Sequence, residues 1–180
     1  MLACLPDNWQ HQDIAKALSY VARFGLAIDC GAHRGTVSKQ LCARFARVVS
    51  IEPGPLAERI EHPAEVIRAA VGDKPGRCSM RDGTENTGQR HVIPGDDVEV
   101  ITIDSLDLSP DFIKLDVEGV EHAAIIGGEQ TIRTHKPVLM IEENGLCERY
   151  GVRHGSAGAL LESWGARRVL VCNKDWIYSW

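Results

Sequence analysis

Short apolar runs alternate along the chain with amphipathic stretches of helical period, and this alternation predicts the elements. Trp9, Ile14, Ala17, Leu18 and Val21 recur at helical spacing, so a first helix is expected, capped by Asp7 or Asn8. Leu26-Ala27-Ile28-Asp29 reads as a buried strand ending in an acid, followed by the loop Cys30-Gly31-Ala32-His33-Arg34-Gly35. Thr36 can cap the next helix, which turns Val37, Leu41, Cys42 and Phe45 inward. Val48 to Ile51 is a second strand ending at Glu52-Pro53, and Pro55 suits the first turn of a helix toward Glu61. Ala64 to Val71 reads as a third strand, closed by Gly72-Asp73. Phe112 to Asp116 is the fourth, followed by a helix from Val120 to His135 that Pro137 stops. Val138 to Glu142 is the fifth, and Gly158 to Trp164 the last helix. Arg168 to Cys172 and Trp176 to Trp180 then pair as a hairpin around Asn173-Lys174-Asp175.

Between Lys74 and Gly95 the pattern lapses into Gly, Asp, Asn and Thr with short runs such as His91-Val92-Ile93, before Val98 to Ile103 resumes as a strand. Residues 74–97 are therefore expected to form a hairpin or loop laid over the sheet, where an acceptor would be contacted. Alternating strands and helices predict an α/β fold, a mostly parallel sheet with helices on both faces, and the terminal hairpin adds antiparallel strands. Residues 1–180 fit one domain, with residues 1–24 as an N-terminal helix, since a second core would need more chain.

Composition changes this picture little. The net charge is −5 and the 20 Lys and Arg are scattered, so no DNA partner is expected. The six cysteines form no CxxC pair and no zinc spacing; Cys30 and Cys172 fall in strand-like stretches, as buried reduced thiols do, which points to a cytoplasmic location. No secretory signal and no apolar run of about 20 residues is present, so no membrane contact is expected. The tryptophans read as packing residues, although Trp176 or Trp180 could shape a pocket wall.

The chemistry lies in what the strands deliver. In an open parallel sheet, ligands bind beyond the carboxyl ends of the strands. Asp29, Glu52, Asp116 and Glu142, the last beside Glu143, are all read as reaching that edge. Gly31 allows a sharp turn and close approach of a ligand, and Gly35 a tight entry into the helix. The spacing is Gly-x-x-x-Gly and lacks the Gly-x-Gly-x-x-Gly that seats a pyrophosphate, which argues against a dinucleotide dehydrogenase. S-adenosylmethionine carries no phosphate: an acid at Asp29 suits its cationic parts, and the backbone at Gly31 its carboxylate. Glu52, about twenty residues on, stands where a carboxylate accepts both ribose hydroxyls.

With Ile28-Asp29-Cys30-Gly31-Ala32-His33-Arg34-Gly35, Ser50-Ile51-Glu52-Pro53-Gly54-Pro55, Ala69-Ala70-Val71-Gly72-Asp73, Ile101-Thr102-Ile103-Asp104-Ser105-Leu106, and above all Phe112-Ile113-Lys114-Leu115-Asp116-Val117-Glu118-Gly119-Val120-Glu121, the chain resembles the FkbM family of methyltransferases. Gly127-Gly128 and Pro137 to Glu142 complete the order, from about Leu26 to Tyr150. The resemblance implies the class I methyltransferase (Rossmann-like) three-layer sandwich, S-adenosylmethionine as donor, and O-methylation of a sugar or other small hydroxyl acceptor. It implies Asp29, Gly31, Ala32, His33 and Gly35 around the methionine end. It likewise implies Glu52 with Pro53 at the ribose, Ala70 and Val71 beside the adenine, and Asp116 and Glu118 facing the methyl group. Cys30 replaces a more usual aliphatic residue, and the chain is short for the family.

An alcohol holds its proton near pKa ~15.7, as water does, so a positioned carboxylate that accepts it contributes roughly 10²–10⁴-fold. Asp116 and Glu118 are the candidates, with Glu142 third. The three acids would also suit Mg²⁺, but nothing demands it and no metal is expected. No Asn/Asp-Pro-Pro-aromatic segment or Pro-Cys nucleophile is present, as base methylation would need. A ribose 2′-hydroxyl acceptor stays open, as does a non-catalytic module that keeps the fold and the cofactor site.

Overall fold

The computed structural model describes residues 8–82 and 90–180. In chain order the elements are α1 (Asn8–Leu18), β1 (Leu26–Cys30), α2 (Thr36–Cys42), β2 (Arg47–Ile51), β3 (Glu65–Ile67), β4 (Ala70–Val71), β5 (Gly76–Arg81) and β6 (His91–Ile101). There follow β7 (Phe112–Leu115), α3 (Glu121–Ile126), α4 (Glu129–His135), β8 (Val138–Glu142), α5 (Ser156–Ser163), β9 (Arg167–Cys172) and β10 (Asp175–Ser179). Single 3-10 turns cover Pro55–Arg59, Asp104–Leu106 and Leu146–Tyr150.

The main sheet has the order β3-β2-β1-β7-β8-β10-β9. Its first five strands are parallel, and β10 runs antiparallel to both β8 and β9. The strands alternate their side chains between two cores. Leu26, Ile28, Cys30, Ile113 and Leu115 pack with Ala124 and Ile125 of α3, Ile132 of α4, and Ala157 and Leu161 of α5. Ala27, Phe112 and Met140 point the other way, toward Ile14, Ala17 and Leu18 of α1 and Val37 and Leu41 of α2. This is the expected three-layer α/β sandwich with its terminal antiparallel pair.

Several boundaries differ from the sequence reading, each for a local reason. β1 continues through Cys30, so Asp29 lies inside the strand and not at its end. The run Ala64 to Val71 divides: β3 extends the main sheet beside β2, and β4 leaves it to pair with β6 in a second sheet ordered β4-β6-β5. The stretch read as an insertion holds β5 and β6; β6 joins the two short runs into one strand, and the residue of β6 opposite β5 jumps from Val98 to Ile93 between Cys78 and Ser79. Pro94, which cannot donate to a ladder, lies in the skipped stretch. The hairpin tip at 83–89, the cap at Asp7 and the packing of the Trp9 side chain lie outside the described residues.

The helix read as Val120 to His135 is broken at Gly127-Gly128. Gly127 presses on the other sheet's approach: an added Cβ would lie 2.0 Å from the Gly72 carbonyl oxygen. Its own carbonyl accepts the amide of Asp104. Trp164, Trp176 and Trp180 pack against the first core. Cys30, Cys42, Cys78, Cys147 and Cys172 are free thiols, and among the described residues no helix is long and apolar enough to cross a membrane.

Helix propensity favours Gly127→Ala by about 1 kcal/mol, but the contact with Gly72 opposes it. Gly127→Ala is expected to destabilise the protein by about 1–3 kcal/mol, the cost of overpacking, as measured by urea unfolding.

Candidate active site

The carboxyl ends of β1, β2, β7 and β8 share one edge of the sheet because these strands are parallel and in adjacent register. A cavity of about 420 Å³ opens there. The Gly31 loop, Glu52-Pro53 and Ala69 to Val71 line one side. Asp116 to Glu118, Glu142, Asn144 and Leu146 line the other, and Met80 and Val92 of the β5–β6 hairpin close over them.

The loop after β1 is pinned by backbone bonds: the amides of Gly31 and Ala32 both donate to the Ile51 carbonyl, at 2.9 and 3.1 Å. Gly31 adopts φ +78, and a Cβ there would lie 1.8 Å from the Asp116 carbonyl oxygen. Only glycine therefore lets the β1 and β7 loops abut. Glu52 is nearly buried; its Oε2 accepts the amide of His33 at 2.9 Å and its Oε1 that of Gly54 at 3.0 Å. Two backbone donors thus fix its carboxylate on the cavity wall. His33, at φ 51, lines the cavity; burial lowers its pKa more than the Glu52 charge raises it, so the ring is held neutral.

Asp29 and Gly35 do not reach the cavity wall, although both were read as cofactor contacts. Asp29 is fully buried on the α2 side of the sheet, where it accepts the Ser38 hydroxyl at 2.5 Å and pairs with Lys114 at 3.2 Å. The added residue of strand, Cys30, turns it into the layer below the site. Gly35, at φ +79, packs against Ile60 and His62 as the residue that opens α2.

Across the cavity, Asp116, Glu118 and Glu142 bring one carboxylate oxygen each within 4.8 Å of one another. Their loop is held from behind by Glu121, buried at the start of α3, which accepts the amides of Val117 and Gly119 at 3.0 and 3.1 Å. That contact keeps Glu118 at φ 58, a left-handed conformation costly for a residue with a side chain. Three oxygens so close repel one another unless a proton or a cation lies among them. Burial first, and then Asp116 and Glu121, push Glu118 up to about 7. Burial, then Asp116, Glu118, Asp175 and Glu121, push Glu142 up to about 9. Asp175, paired with Glu142 in strand register, rises to about 7, chiefly by burial and the Asp116 charge. The cluster holds protons that isolated carboxyls would have shed. The same donor set has the oxygen chemistry of a divalent-cation site.

Lys114, Asn144 and Glu121 were not singled out from the sequence. Asn144 donates to Glu142 Oε2 at 2.5 Å while its own carbonyl oxygen accepts the Leu146 amide, so it orients Glu142. Its place two residues beyond a strand-end acid was the available signal. Arg90 and Lys174 also reach the cavity. Glu143 does not: it caps α5 through the amides of Gly155 and Gly158.

Residues 29–167 match the family model described as the methyltransferase FkbM domain. The chain belongs to the FkbM methyltransferase family. Among solved structures, methyltransferase FkbM from Methylobacillus flagellatus KT superposes with a TM-score of 0.60 at 20% identity, over 98% of this chain and 56% of that one. The FkbM chain described here thus spans a little over half the length of that relative. Precorrin-6y C5,15-methyltransferase from Geobacter metallireducens GS-15 gives 0.58 at 14% identity, over 98% and 93% of the two chains. N-methyltransferase NodS from Bradyrhizobium japonicum WM9 gives 0.57 at 12%, over 97% of each. These likenesses establish the class I methyltransferase fold. No curated protein matches the chain.

The unfolded FkbM chain ionises Glu142 near 4.5, while the folded chain keeps the proton up to about 9. Between those values the unfolded state binds fewer protons, so stability falls as pH rises through the window. Glu142→Gln, which mimics the protonated acid, is expected to match the wild type near pH 4.5. It should exceed the wild type in melting temperature by on the order of a few degrees at pH 9, as followed by thermal unfolding across pH.

Proposed function

We propose that this chain transfers the methyl group of S-adenosylmethionine to a hydroxyl of a small acceptor such as a sugar, in the cytoplasm. The observation that carries the reading is the convergence, in one cavity, of a glycine cradle, an amide-fixed carboxylate and a proton-holding acid cluster. The residues fit the cofactor. His33 Nε2 and Glu118 Oε2 are buried polar atoms on the cavity wall without a partner among the described residues, so both have bonding capacity to offer. The buried thiols Cys30 and Cys147 suit a reducing compartment.

In this reading Glu52 accepts the ribose hydroxyls, and the backbone at Gly31 and Ala32, with His33, receives the methionine end. Pro53, Ala70 and Val71 flank the adenine, and Asp116 faces the cationic groups. The cofactor supplies an activated methyl group on a sulfonium sulfur. The chain's task is alignment of the acceptor oxygen, worth about 7–11 kcal/mol, and removal of its proton. Glu118 and Glu142 can take that proton once they are ionised. A carboxylate raised toward the working pH is a stronger base than an ordinary one, and positive charge in the cavity favours its ionised form. The hairpin wall with Met80 and Val92, and Leu146 opposite, offers the acceptor an apolar rim. In this reading Asp116, Glu118 and Glu142 serve without Mg²⁺.

Calorimetric titration with S-adenosylhomocysteine tests the cofactor site. Wild type is expected to saturate, and Glu52→Ala to bind at least about tenfold more weakly, since each hydrogen bond to a charged group contributes roughly 1.5–3 kcal/mol. Glu52→Gln, which keeps one acceptor oxygen, should fall between. Folded wild type that takes up no ligand would sink the proposal.

A further inference from the structure

The strand pairing that builds the edge also builds a polar row beneath it. Ser50 on β2, Asp29 on β1 and Lys114 on β7 are register partners, side by side across the centre of the sheet and on its α2 face. All three are buried, Lys114 with 4% of its surface exposed. The Ser50 hydroxyl donates to Ser38 at 2.8 Å, Ser38 donates to Asp29 at 2.5 Å, and Asp29 pairs with the Lys114 ammonium. An ammonium has three protons to place. Lys114 Nζ forms ion pairs with Asp29 Oδ1 at 3.2 Å and Asp116 Oδ2 at 3.4 Å and donates to the Gly31 carbonyl at 3.4 Å. The first is below the site; the other two belong to the two loops that meet at the cavity floor.

We propose that Lys114 is a positioning residue: anchored by Asp29 from the buried layer, its ammonium sets the orientation of the Asp116 carboxylate and ties it to the Gly31 loop, so that the cavity floor presents a negative charge to the cationic end of the cofactor. The inference rests on the cofactor reading above. Several observations support it. The lysine lines the cavity with only 4% of its surface exposed, so it gives up little hydration on binding. Burial acts to lower its pKa, yet the carboxylates of Asp116, Asp29 and Asp175 outweigh that and hold it above its usual value, so the charge persists. Among the described residues, Asp116, 24% exposed in its side chain, is the one member of the acid cluster with a cation within salt-bridge distance. A carboxylate tied to a fixed ammonium has one orientation; freed of it, Asp116 would turn toward solvent. Asp29 thereby acquires a role different from the ligand contact that its place in the sequence suggested.

Net charge and orientation make opposite predictions, which allows a clean test. Lys114→Met alone strands the buried Asp29 carboxylate and endangers folding, so it is paired with Asp29→Asn, a combination that leaves net charge unchanged. Dissociation constants for S-adenosylmethionine, a net cation, and S-adenosylhomocysteine, the net-neutral product that lacks the sulfonium charge, are measured by calorimetry on proteins shown to be folded by their thermal transitions. The paired variant is expected to lose about tenfold in affinity for the cationic ligand, the order of one charge-assisted hydrogen bond. It should lose distinctly less for the uncharged one, and adding Asp116→Asn should then cost nothing more. Lys114→Gln provides a second variant that makes the floor more negative. If charge alone mattered, it would bind S-adenosylmethionine more tightly; weaker binding is expected. A folded variant that keeps the wild-type preference between the two ligands, or loses both equally and additively with Asp116→Asn, would overturn the role of Lys114 and leave the cofactor reading standing. Wild type that binds neither ligand would bring down the cofactor reading and this inference with it.

Discussion

An ammonium group can sit inside a β-sheet only when carboxylates surround it, and Lys114 has two of them and a carbonyl within 3.4 Å. That local requirement ties together parts of the chain far apart in sequence. Asp29 must lie on the adjacent strand in the matching register, with its other oxygen satisfied from α2 by Ser38. Asp116 must leave the end of β7 so that its carboxylate folds back over the lysine. Once these conditions hold, the loops after β1 and β7 meet, and only glycine at position 31 tolerates the resulting contact.

From this meeting point the cavity takes shape by strand geometry. β2 delivers Glu52 to one flank, where two backbone amides hold it; β8 delivers Glu142 to the other, where Asn144 holds it. The antiparallel β10 enters from that same edge and places Asp175 beside Glu142, which adds to the charge crowding that keeps protons on the cluster. One side of the cavity is thus rigid and hydrogen-bonded through backbone, as suits a ligand of fixed shape. The other is a group of acids whose ionisation responds to what enters. The hairpin β5–β6 lies over both, attached to the 146–150 turn by the Tyr150 hydroxyl on the Val92 carbonyl at 3.0 Å.

Much of this was legible along the chain. Apolar runs at regular intervals specify buried parallel strands, and an acid directly after such a run, as at Glu52 and Asp116, marks the functional edge. Gly31 was readable for the same reason, since a glycine at a strand-to-helix turn has few other uses. The errors came where one residue decides which layer a side chain enters. Asp29 reads as a strand end because it is charged, but Cys30 continues the ladder and turns the acid inward, where Lys114, six strands on in sequence, neutralises it. The run from Ala64 to Val71 has a single apolar pattern, yet its halves join different sheets because β6 offers the second half a better neighbour. Gly127-Gly128 lay inside a helical period, and nothing local reveals that the Gly72 backbone occupies the space a side chain would need.

The sequence by itself determined the alternation of strands and helices, the three-layer class and the placing of Glu52, Asp116 and Glu142 at strand ends, because periodicity and strand-end position are local properties of the chain. Only the tertiary structure decided which of the charged residues face the cavity and which sit beneath it, that Lys114 meets two carboxylates and a carbonyl, and that the three carboxylates of Asp116, Glu118 and Glu142 come close together. Those facts depend on distances between segments far apart in sequence, such as Gly31 and Lys114, which are 83 residues apart. Such distances come from register and packing, and neither is written in the pattern of any one stretch.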